Sequence, residues 1–181
     1  MAILECQKVS KAYGGLLAVS DLSFAVEPGE VYAIVGPNGA GKTTLFDCIS
    51  GINPATSGTI KFLGREIQGL HPHDICRIGL ARTFQTTVAF DSQSVLTNVL
   101  VGSTFGREGK DPFLSFNAPA IDAALDALAL CGLADLQRAP AGSLPVLARK
   151  RLMLATALAT RPSCSSSTSR SAVSIQPSGR R

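Results

Sequence analysis

The chain has no tryptophan, no C-x-x-C pair, and no apolar run long and uncharged enough to cross a bilayer. Its five cysteines, Cys6, Cys48, Cys76, Cys131 and Cys164, are scattered and odd in number, which excludes a disulfide framework and offers no metal-ligand spacing. They read as reduced, mostly buried thiols of a cytosolic protein. Residues 1–6 lack the basic start and apolar stretch of a signal peptide. Charge is sparse: 17% of residues are charged against 45% hydrophobic, a balance that excludes a disordered chain and suits an α/β protein. At 181 residues the chain can bury one sizeable core and carry a subdomain. Acidic residues stop at Asp135, while Arg170, Arg180 and Arg181 fall near the end. The net charge of +4 therefore belongs mostly to the tail and is no argument for nucleic-acid or membrane binding.

Residues 36–44 read G-P-N-G-A-G-K-T-T and fit the phosphate-binding pattern G-x-x-x-x-G-K-[ST]. Gly36, Gly39 and Gly41, without side chains, let the backbone curl and aim its N–H groups at an anion. Asn38, Ala40 and Thr44 complete the cradle. Lys42 brings a positive charge to the β- and γ-phosphates, and the Thr43 hydroxyl suits a Mg2+ ligand. A helix starting near Lys42 and ending near Gly51 adds its partly positive N-terminus. The apolar run 31–35 ahead of the loop has the composition of a buried strand. Strand, glycine loop and helix together predict ATP or GTP binding.

Along the rest of the chain, apolar patterning predicts strands over 4–9 and 16–26 with a turn at 11–15, then a tight turn at 27–30. A strand follows within 57–64, a short helix at 74–78, and a buried strand at 80–84 closed by Gln85. Helical spacing marks 94–101, 120–130 and 147–160, with a Gly/Asp/Pro/Asn-rich loop over 103–119. This divides the chain into a nucleotide-binding α/β core (1–85), a helical subdomain (86–142), a loop and helix (143–162) and a tail (163–181).

Three pieces together, Y-G-G-L-L-A-V at 13–19, G-P-N-G-A-G-K-T-T-L-F at 36–46 and A-R-T-F-Q at 81–85, resemble the ATP-binding subunits of ABC transporters, most of all those of branched-chain amino-acid importers. The likeness spans residues 2–162. It implies a P-loop NTPase core with an antiparallel β portion and an inserted helical subdomain. It implies ATP and Mg2+ as cofactors. The partners it implies are a second ATP-binding subunit, identical or different, and transmembrane permease subunits, with no nucleic acid. It places the protein in the cytoplasm, peripheral on the inner face of the membrane. Tyr13 takes the place of the ring that stacks on adenine, a flat apolar face covering a flat base. Gln85 takes the place of the glutamine that reaches Mg2+ and the attacking water, since an amide can both accept and donate. Two readings from other classes are a nucleotide-binding, non-hydrolysing interaction protein and a soluble ABC ATPase unrelated to transport. A P-loop kinase fits the order of aromatic residue, loop and glutamine less well.

The pattern breaks twice. Where the family carries L-S-G-G-Q, capping the γ-phosphate held by a partner, this chain has Leu144, Pro145, Val146, Leu147 and Ala148. Pro145 removes an N–H donor, and Val146 and Leu147 replace glycines whose backbone would approach phosphate. After Pro162 the family continues with an apolar strand ending in Asp-Glu. The Asp holds Mg2+ through water and the Glu polarises the attacking water. A later switch histidine is missing as well. Here the chain runs S-C-S-S-S-T-S-R. With a suitable choice of synonymous codons, a one-nucleotide shift near Ser163 turns this stretch into Leu-Leu-Leu-Leu-Asp-Glu, followed by Pro-Gln-Arg-Gly-Leu-Asn-Pro-Ala-Glu. The tail is therefore expected to be a frameshift product, disordered, leaving the fold incomplete at its C-terminus and hydrolysis defective; the other reading is a natural Ser-rich tail. The missing strand is expected beside the phosphate-loop strand.

Overall fold

The computed structural model describes residues 1–84, 86, 88–106, 118–168 and 172–177. Strand β1 (Leu4–Tyr13) pairs antiparallel with β2 (Leu16–Val26) on one side and with β4 (Ser57–Phe62) on the other; β4 in turn carries the two-residue β5 (Arg65–Glu66). Tyr13 sits opposite Leu16, so the connection is a two-residue turn at Gly14 and Gly15. The turn predicted for 11–15 is thus shorter: Lys11, Ala12 and Tyr13 are strand, because the ladder to β2 continues to the hairpin tip.

The second sheet has the order β3-β8-β7-β6, with β3 (Tyr32–Val35), β6 (Leu80–Thr83), β7 (Cys164–Thr168) and β8 (Ala172–Pro177). β7 runs parallel to β6, and β8 runs antiparallel to both β7 and β3. Three expectations change here. The strand ahead of the phosphate loop is not buried: β3 is an edge strand, half-covered on its Tyr32 and Ile34 face, and Val35 is 73% exposed. The tail expected to be disordered forms two strands over its described part, because β6 offers a free edge whose backbone groups β7 satisfies. And the strand after Pro162 lies beside β6, with β8 separating it from β3.

Helix α1 (Lys42–Ile49) follows the loop, ends at Ser50 and is closed by Gly51 at φ 74. α2 (Pro72–Arg77) starts on proline, which is favoured in a first helical turn. Buried residues of β1, β2, β4, α1, α2, β6 and β7 form one core, including Leu4, Val26, Phe46, Ile60, Ile75 and Cys164. Phe24 of β2 stacks on Tyr32 of β3 with centroids 5.0 Å apart, tying the two sheets together.

A second core joins α3 (Val95–Phe105), α4 (Ala118–Leu130) and α5 (Val146–Ala159) through Val99, Leu128, Leu152 and Ala155. α3 is capped by Ser94, whose side chain accepts from the Thr97 amide, and it reaches Phe105, so residues 103–105 are helix instead of loop. Residues 107–117 of that expected loop lie outside the described residues. α5, set apart from the helical subdomain by sequence, shares this core.

Candidate functional site

The phosphate-loop residues surround a cleft of about 450 Å3, lined by Asn38, Gly39, Ala40, Gly41, Lys42, Thr43 and Thr44 together with the β1–β2 hairpin through Tyr13 and Ala18. Gly39 and Gly41 both have positive φ, 85 and 78, which L-residues adopt with strain. Gly41 is further constrained from above: a Cβ there would lie 2.1 Å from the Ala18 carbonyl oxygen. Gly36 is different from the expectation. Its φ is not positive, and a Cβ would make only an ordinary contact with Ala40 at 3.4 Å.

Gly41 also stands at the N-cap of α1, where no side chain accepts from the first turn. Among the described residues, the amides of Asn38, Gly39, Gly41, Lys42, Thr43 and Thr44 have no hydrogen-bond acceptor. These donors, with the helix dipole behind them, make a concave site for an anion. Lys42 is 8% exposed and donates to the carbonyl oxygens of Gly36 at 2.6 Å and Pro37 at 2.7 Å. Its ammonium is thus held at the loop instead of reaching into solvent. Thr43 is exposed at the start of α1, its hydroxyl open to a metal ion. The residues present fit a nucleotide triphosphate with its magnesium ion: unsatisfied amides and Lys42 for the phosphates, the Thr43 oxygen for the hard cation.

Tyr13 reaches the same cleft from the hairpin tip and is 45% exposed. Lys11 lies two residues earlier on β1, its Nζ 4.9 Å from the Tyr13 ring centroid and 2.7 Å from the Pro54 carbonyl oxygen. Neither Lys11 nor the Ala18 contact was singled out from the sequence. Both depend on the hairpin folding over the loop, which no local pattern reports.

Gln85 lies outside the described residues. The strand leading to it, β6, carries a buried ion pair that sequence reading also missed. Arg82 donates to Asp47 Oδ1 at 2.8 Å and to Ser50 Oγ at 2.7 Å, and lies 5.0 Å over the Phe84 ring. It fastens the back of α1 to β6. The available signal was an arginine inside an otherwise apolar strand, which demands a partner. Beside it, Arg82, Phe84, Val101, Phe105, Met153 and Ala157 line a second cleft of about 380 Å3 between β6 and the helical core.

At the other pattern break, Pro145 is the N-cap of α5, with Val146 71% and Leu147 63% exposed. Arg149 pairs with Asp91 and donates from Nε to the Ala141 carbonyl at 3.3 Å. The preceding segment is fastened along 91–95 by Ala141 N to Gln93 O and Val95 N to Ala139 O, both 2.9 Å. The loop is thus well held but offers apolar side chains where the expected donors would stand. Among the described residues no group of three His, Cys, Asp or Glu could hold a metal, and no helix is long and apolar enough to cross a membrane.

The chain is similar to the high-affinity branched-chain amino acid transport ATP-binding protein BraF of Pseudomonas aeruginosa, 37% identical over an alignment of 170 residues, with 88% of this chain and 66% of that protein covered. It is 33% identical to LivG of Escherichia coli over 168 residues, 88% of this chain and 66% of the relative. The chain spans about two thirds of the length of these relatives. Among solved structures, the ADP conformation of MJ1267, an ATP-binding cassette of an ABC transporter, matches with a TM-score of 0.79 and 30% identity, covering 90% of this chain and 66% of that one. A post-hydrolysis dimer of the cassette MJ0796 bound to ADP and Pi matches in fold, with a TM-score of 0.77, 21% identity and coverage of 91% and 72%. The family profile described as ABC transporter aligns with residues 19–165, taking in the loop, α1, the helical core and the start of β7, and on that match this chain belongs to the ABC transporter family.

Proposed function

We propose that the chain is the nucleotide-binding part of an ATP-binding subunit of an importer, of the branched-chain amino-acid kind, that takes ATP with Mg2+ at residues 36–44. The observation that carries this is the set of unpaired amides at Asn38, Gly39 and residues 41–44, gathered around Lys42 in one cleft with Tyr13. Lys42 and the amides hold the β- and γ-phosphates, Thr43 and Gln85 take the metal ion, and Tyr13 covers the adenine. Bound Mg2+ supplies charge neutralisation between the phosphates. Attachment to the membrane comes through permease subunits seated at the cleft beside Arg82 and Phe84, and a second ATP-binding subunit completes the site. Residues 163–169 provide no carboxylate to polarise water, so the chain binds ATP without turning it over. The shifted reading frame accounts for that loss. Calorimetry with ATP and Mg2+ tests the reading: the wild type binds, and Lys42→Ala weakens binding about tenfold or more. Phosphate release stays at the uncatalysed background. Failure of the wild type to bind removes the proposal, and steady phosphate release removes its non-hydrolysing half.

A further inference from the structure

We infer that Lys11 is a positioning residue for the base, acting through Tyr13; this rests on the proposed ATP site. Lys11 does not line the cleft, whereas Tyr13 does. The two residues are i and i+2 on β1, so their side chains share a face of the strand. The Lys11 ammonium lies 4.9 Å from the ring centroid and occupies one face of the Tyr13 ring. A flat ring has two faces, and the other remains for a purine. The ammonium is itself fixed, donating to the Pro54 carbonyl at 2.7 Å.

That anchor is part of a wider connection. The Ala12 amide donates to Thr56 Oγ1 at 3.0 Å, and the Thr56 amide donates to the Ser10 carbonyl at 2.8 Å. Three bonds thus bind the end of β1 to the segment that leaves the phosphate-loop helix α1. The ring that receives the base is thereby set in register with the helix that receives the phosphates. An exposed tyrosine at a two-residue hairpin tip would otherwise turn among rotamers, and ordering it would fall to the ligand. Lys11 meets that ordering cost before the base arrives.

The test separates base from phosphate. Binding of ATP and of inorganic tripolyphosphate, each with Mg2+, is measured by calorimetry for wild type, Lys11→Met, Lys11→Arg, Tyr13→Ala and the Lys11→Met/Tyr13→Ala pair. Lys11→Met weakens ATP about three- to fivefold and leaves tripolyphosphate unchanged, which also shows that the loop remains folded. Lys11→Arg restores ATP binding, and in the Tyr13→Ala background Lys11→Met has no further effect. Because the chain lacks tryptophan and has only Tyr13 and Tyr32, a Tyr32→Phe background isolates Tyr13 fluorescence. Its polarisation is expected to fall when Lys11 is removed. Equal loss for both ligands, or a loss that persists without Tyr13, overturns the inference and leaves the ATP site standing. A wild type that binds tripolyphosphate and ATP equally overturns it too, and one that binds neither overturns both.

Discussion

At Gly41 two demands meet in one residue. The backbone is left-handed at φ 78, and the Ala18 carbonyl stands 2.1 Å from where a Cβ would go. The neighbour in the way is backbone of a paired strand and cannot turn aside as a side chain could. Gly39 has a similar φ of 85 with open space around it. The two glycines therefore separate strain from collision. Gly39→Ala is expected to cost about 1–2 kcal/mol, the left-handed penalty alone. Gly41→Ala is expected to cost about 3 kcal/mol or more, with the hairpin lifted from the loop and nucleotide binding lost. Urea denaturation of both variants checks this, and equal costs would mean that the hairpin does not press on the loop. The need for glycine at these positions was legible in the motif, because the loop's curl is a local property of nine consecutive residues. The ceiling over Gly41, the cation on Tyr13 and the Arg82–Asp47 pair were not legible, since each joins residues brought together only by the tertiary fold.

Among the elements, β7 suits its position least. A strand hydrogen-bonded on both sides is ordinarily an apolar run, yet β7 reads C-S-S-S-T. Its composition signals a disordered tail, and pairing gives it structure, with β6 on one edge and β8 on the other. The same gap explains why β3 was expected to be buried. Its own residues are apolar, but exposure depends on what covers the sheet, which a four-residue pattern does not encode. Ser166 is buried, and its hydroxyl reaches the Ala81 carbonyl at a long 3.4 Å. A hydroxyl so weakly bonded carries most of its desolvation cost. Ser166→Val removes that cost and adds a β-branched side chain, so stability is expected to rise by about 1 kcal/mol. A urea midpoint that falls would show that the slot has no room or that the hydroxyl bond is stronger than its length implies. The helices of the second core were more legible, because apolar spacing over 10 or more residues records their buried face directly.

Across the whole molecule, the first core brings thiols from both sheets into one apolar cluster: Cys6 from β1, Cys48 from α1 and Cys164 from β7. Burial pushes the Cys6 thiol up from the ordinary 9.0 to about 12, reinforced by Cys48 and Glu5. Burial alone carries Cys164 to about 12 as well. Cys48 is raised by burial and by Asp47, against the lowering influence of Lys11. Each folded value lies above the unfolded one, and that fixes the sign. Below pH 9 both states keep these protons and the core's stability is fully present. Between pH 9 and 12 the unfolded chain releases protons that the folded chain retains, so stability falls as pH rises. Thermal melts are expected to be flat from pH 7 to about 8.5 and to drop steeply beyond it. The wild-type slope alone does not identify its source. The pair Cys6→Val and Cys164→Val does: it removes two of the groups and should flatten the alkaline limb while leaving the neutral melting temperature nearly unchanged. Thiol labelling gives an independent reading, because protonated buried sulfurs react slowly with iodoacetamide until the core opens. Fast labelling of Cys6 or Cys164 at pH 8 in the folded protein, or an alkaline limb untouched by the double variant, would show that these sulfurs are not enclosed in a common core.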